Sequence, residues 1–128
     1  MSKQDEFDIV FAYTRAQAIA DGVLIDVSDT AKEAGFVYPV ALTSTVWAEC
    51  VEVPEGVEGQ DEAGRLWDVL NMLRFAIKRS GPGSELRFSL HVRNTNDEGE
   101  PPLVELKAVC GPNDDASPCL TVMLPDED

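Results

Sequence analysis

Apolar and polar residues alternate with a period of two most clearly at the start of the last third of the chain. There Leu86, Phe88, Leu90 and Val92 interleave with Arg87, Ser89, His91 and Arg93, the pattern of a half-buried strand. Just upstream the period is 3.6. Over residues 61–79, Leu66, Val69, Leu70, Leu73, Ala76 and Ile77 fall on one stripe of a helix. Acidic Asp61 and Glu62 stand in its first turn and Lys78 and Arg79 in its last, the order the helix dipole favours, with Gly81 and Pro82 following as a stop. Downstream, residues 103–110 and 119–124 read as two further strands, separated by the turn-rich segments NTNDEGEPP and GPNDDASP.

The first half is punctuated more densely. Thr14 is placed to cap a short helix through RAQAIAD that Gly22 ends, and VLIDV (23–27) reads as a short strand. Ser28 or Asp29 then caps a second brief helix, TAKEA, ended by Gly35. Thr43 or Ser44 is a candidate cap for a third helix over 46–51, which Pro54 prevents from continuing. The expected architecture is α+β: short N-terminal helices and one strand, then a long central amphipathic helix packed on a C-terminal antiparallel β-meander. There is no internal repeat and no linker long enough to separate domains, so residues 1–128 are read as a single domain. A chain of this length buries roughly two-thirds of its unfolded surface, enough for one core.

Trp67, Met72 and Phe75 lie outside the apolar stripe of the long helix. A second cover for them comes either from the first half of the chain or from self-association, with a homodimer as the simplest form.

Charge narrows the functional classes. The 24 acidic and 10 basic residues give a net charge of −14. That excludes direct binding of nucleic-acid phosphates and points to a basic protein surface as partner. The basic residues concentrate in 63–93, with six of them against two acids, inside a chain otherwise strongly acidic. The start MSKQDEF has neither the basic nor the apolar part of an export signal, and no run approaches a membrane span, so a cytoplasmic location with no membrane partner is expected. Cys50, Cys110 and Cys119 are then reduced thiols, a Cys110–Cys119 bridge across a hairpin being the less favoured alternative.

Candidate chemistry is sparse. His91 is the one histidine, and a hydrolase would have to pair it with Cys110 or Cys119. It shares a strand face with Arg87, Ser89 and Arg93, so a surface histidine is the plainer account. The acids Asp97, Glu98 and Glu100, like Asn113, Asp114 and Asp115, sit where hairpin turns select such residues, and neither set has the ligand order of a calcium loop. No phosphate-binding, nucleophile-elbow or zinc-protease motif occurs. The expectation is therefore no enzyme, no cofactor and no metal.

The feature that stands out is the run Glu49, Glu52, Glu55, Glu58 and Asp61, spaced by three, with Glu62 beside it and no basic residue from Glu49 to Ala63. Were the part after Pro54 an extended polyproline II segment, its acids would recur on one edge every ~9 Å. Gly56 and Gly59 argue instead for a looser connection.

Five stretches carry a resemblance: YTRAQAIADG (13–22), YPVALTSTVW (38–47), DEAGRLWDVL (61–70), CGPNDD (110–115) and the ending LPDED. Together they resemble an uncharacterised domain-of-unknown-function family of small acidic bacterial proteins encoded on plasmids, phages and integrative elements. The resemblance brings no catalytic residue to any position here. What it implies is context: mobile elements carry small acidic proteins that blunt host defences by occupying basic nucleic-acid channels.

The function expected is therefore an acidic inhibitor. Glu49, Glu52, Glu55, Glu58, Asp61 and Glu62 would bind the basic surface of a nucleic-acid-binding effector, of the CRISPR or restriction kind, and compete with DNA. The alternative is a non-enzymatic scaffold or regulator that self-associates through Trp67, Met72 and Phe75.

Overall fold

Ten elements make up the computed structural model, which describes residues 13–81 and 83–127. In chain order they are α1 (Arg15–Ala20), β1 (Leu24–Asp26), α2 (Ser28–Glu33), β2 (Val40–Thr43), α3 (Ser44–Val46) running into a π-helical turn (Trp47–Val51), α4 (Glu62–Arg79), β3 (Glu85–His91), β4 (Leu103–Pro112) and β5 (Pro118–Met123). The readings of MSKQDEF as a start without an export signal and of Pro82 as a helix stop lie outside the described residues.

The α+β class is as expected, and β3, β4 and β5 form the antiparallel meander. The sheet extends further than the sequence indicates, to five strands in the order β1-β2-β5-β4-β3. The additional strand is β2, which runs parallel to β5 and antiparallel to β1. Every residue of it is buried. A strand enclosed on both faces shows no alternation, and Val40-Ala41-Leu42-Thr43 is too short an apolar run to declare itself.

Local chemistry accounts for the element ends. Thr14 caps α1 in a full capping box with Gln17. Gly22 at φ +77 and Gly35 at φ +98 end α1 and α2 in the same way. In each, the glycine amide and the one after it bond back to the last turn, as with Gly35 to Lys32 and Phe36 to Ala31. Thr43 is the cap of α3, its Oγ1 accepting from the Val46 amide. Neither expected cap serves α2, because Ser28 is already helical and its hydroxyl is engaged elsewhere: it donates to Asp26 Oδ1 and accepts from the Val40 amide, tying β1 to β2.

The stripe of α4 lies on the sheet as expected, with Leu66, Val69, Leu70, Leu73 and Ala76 buried against Phe88, Leu90, Leu106 and Val122. Ile77 is the exception, left 39% exposed at the helix end. The other face of the sheet is covered by α1 and the C-terminal turn. Arg15 Nη1 donates to Thr121 Oγ1, and Glu127 Oε1 accepts from Thr43 Oγ1.

Candidate functional site

The acidic run is carried on three successive pieces of backbone. Glu49 sits in the π-helical turn, Glu52 ends it, Glu55 and Glu58 occupy the connection, and Asp61 and Glu62 open α4. All six are exposed. The connection is not an extended polyproline II edge: Gly56 and Gly59 have φ of +85 and +79, and the Val57 amide closes a turn onto the Pro54 carbonyl. Left-handed backbone at both glycines breaks the three-residue repeat that a regular edge would need.

What replaces that regularity is a set of anchors. Arg65, on the first turns of α4, is only 5% exposed. Its Nε donates to the Cys50 carbonyl, Nη1 to Gln60 Oε1 and the Arg93 carbonyl, and Nη2 to the Glu49 carbonyl and Asn94 Oδ1. All five guanidinium donors are thus satisfied, and every acceptor is a neutral oxygen. Burial pulls the Arg65 pKa below its ordinary value. Asn94 also donates to the Glu49 carbonyl, and Gln60 to the Arg93 carbonyl. Asn96 clamps the connection from both sides, donating to the Gly56 carbonyl and accepting from the Glu58 amide.

The acids therefore hang from a fixed backbone. One of the six has an internal role: Asp61 Oδ1 accepts from the Gly64 amide and caps α4. Among the described residues, no side chain or amide donates to the carboxylates of Glu49, Glu52, Glu55, Glu58 or Glu62; the Arg87–Glu105 ion pair and the His91–Glu100 contact lie elsewhere. The first cation after the run, Arg65, is buried and turned to neutral oxygens. Sequence reasoning missed it because its partners lie up to 29 residues away. The amides at Gln60, Asn94 and Asn96 gave the only hint.

The proposed self-association residues separate. Trp67 and Met72 are half-buried and pack against the core, and Phe75 alone stands out, at 58% exposure. The hydrolase set also separates. His91 ends β3, with Nδ1 donating to the Pro101 carbonyl and Nε2 3.0 Å from Glu100. Cys110 pairs near the start of β3, where its amide bonds the Ser84 carbonyl. Seven residues of strand put roughly 20 Å between them. Cys110 faces Leu120 across the ladder and Cys119 faces Gly111, so the two thiols point to opposite sides of the sheet, and both are free, as is Cys50.

The turn acids serve the fold. Asp114 accepts from the Arg15 and Ala16 amides, the first two of α1. Asp115 accepts from the Ser117 amide and hydroxyl, which holds its carboxyl below the usual range. Among the described residues, no three His, Cys, Asp or Glu side chains converge in a way that would hold a metal, and no helix is long and apolar enough to cross a membrane.

A family model matches residues 3–128, that of a family of unknown function, DUF6573, and the chain belongs to that family. No curated protein and no solved structure matches it.

Proposed function

We propose that this DUF6573 member is a non-catalytic, cytoplasmic binding protein whose acidic edge occupies the basic nucleic-acid-binding surface of another protein and competes there with DNA. One observation carries the reading: five carboxylates that no donor among the described residues engages project from a backbone immobilised by Arg65, Asn94, Asn96 and Gln60. A fixed array of charge loses little entropy on binding, so its repulsion in the free protein turns into attraction for a cationic groove. The net charge of −14 steers the encounter and keeps nucleic acid itself away. An effector of a host defence complex, of the CRISPR or restriction kind, is the partner class that the sequence resemblance suggests.

The test is an affinity capture from bacterial lysate at low and at high salt, followed by a DNA-binding assay on each retained protein. The reading expects a nucleic-acid-binding protein that elutes with salt and loses DNA when this protein is added. Retained partners that bind DNA equally well in its presence would refute competition.

A further inference from the structure

At the end of α4 remote from the acidic edge lies an open apolar groove of about 600 Å³. Its walls are the segment after α2, the last turns of α4 and the start of β3, and its apolar lining includes Phe36, Tyr38, Ile77, Leu86, Ala108 and Cys110. The rim is unusually apolar for a surface: Val37 is 87% and Tyr38 45% exposed. The volume falls within the roughly 300–1,000 Å³ of small-molecule sites.

Two cations border it, Arg74 and Lys78. Lys78 complements the helix dipole from the last turn, which accounts for its charge without a ligand. Arg74 sits a turn earlier, and its guanidinium lies close to Gly35. A Cβ there would meet the Arg74 guanidinium carbon at 3.3 Å, and the backbone, at φ +98, already favours glycine. The guanidinium thus lies beside the Gly35 backbone at the groove wall, in space that a side chain at position 35 would take. Among the described residues neither Arg74 nor Lys78 has an ion-pair or side-chain hydrogen-bond partner. Glu85 is the one carboxylate in the lining, leaving two cations against one anion.

From this geometry we infer that the groove is a binding site for a free small amphipathic acid, its apolar body against Phe36, Tyr38, Ile77 and Leu86 and its carboxylate on Arg74 and Lys78. The site is independent of the acidic edge and goes beyond the proposed function. Its position next to the half-buried Cys110 supplies a readout.

The experiment titrates the full chain with decanoate, decanol and decyltrimethylammonium, following backbone amides by NMR and the alkylation of Cys110 by N-ethylmaleimide with peptide mass spectrometry. Decanoate is expected to shift amides of residues 35–38, 74–78 and 84–86, to slow Cys110 alkylation, and to bind about 10-fold more tightly than decanol, from one charge-assisted contact. Lys78→Glu and Arg74→Glu should each lose about that factor. Because Arg74 also packs on Gly35, Lys78→Glu decides if the other variant misfolds. Equal affinity for decanol, preference for the cationic amphiphile, or shifts elsewhere would overturn the inference. So would protection of Cys110 by dimerisation without ligand, which would make a second copy the occupant, or binding only to vesicles containing phosphatidylglycerol, which would make it a lipid surface.

Discussion

Two acidic regions of this molecule look alike in sequence and do opposite work. In the C-terminal part, Asp114 binds the first amides of α1, Asp115 closes its own turn, and Glu127 receives the Leu124 amide and the Thr43 hydroxyl. Those carboxylates are used up by the fold. Along 49–62, only Asp61 has such a use; the other five carboxylates are unused within the described structure, while the backbone beneath them is bonded at many points. Counting acids cannot separate the two regions. Following each carboxylate to its donor does, because an acid consumed by local amides offers little to a partner.

The comparison breaks most severely at Arg65. Arg65→Met keeps the volume roughly but takes the side-chain donor from the Cys50 carbonyl and one of two donors from each of the Glu49 and Arg93 carbonyls, so it should cost about 3 kcal/mol in denaturant unfolding. Arg65→Lys cannot supply the fork and should recover only part of that. A loss under about 1 kcal/mol would mean the acidic connection is not held as described.

Asp114→Ala tests the consumed acids. It strips two first-turn amides of α1 of their acceptor and should cost about 1–2 kcal/mol by the same measurement. Glu55→Ala, in contrast, should change stability by less than about 0.5 kcal/mol.

Cys50 sharpens the comparison at the junction of the two kinds of environment. Burial, with Glu49 adding and Arg65 opposing, pushes its thiol up to about 11 from an ordinary 9.0. The folded-state pKa is the higher, so this contribution to stability is complete below pH 9 and is lost as pH rises toward about 11. Unfolding midpoints at pH 8 and pH 10.5 should differ less in Cys50→Ala than in the wild type. An unchanged pH dependence would show that the thiol is not buried beside Glu49.

How far these features could be read in advance follows their range. The helix over residues 61–79, the alternating strand around Leu86 to Leu90, and the stops at Gly22 and Gly35 are local, and the sequence pattern finds them. β2 is hidden because it is short and buried on both faces, so it shows neither period. The shape of the acidic edge was half legible: the glycines at 56 and 59 signal turns, whereas the anchors Arg65, Asn94 and Asn96 act across long separations that no local pattern records.

The central claim, that the 49–62 acids are available to a partner, is tested most directly by one paired measurement. The Glu49→Gln, Glu52→Gln, Glu55→Gln and Glu58→Gln quadruple variant is compared with a control that removes four exposed charges elsewhere, at Asp29, Glu33, Glu85 and Glu98. Both are assayed for affinity to the salt-eluted partner, with folding checked by circular dichroism. The affinity loss expected is more than about 10-fold for the first and less than about 3-fold for the second. Equal losses would show that bulk charge alone attracts the partner, and no loss in the first would contradict the account.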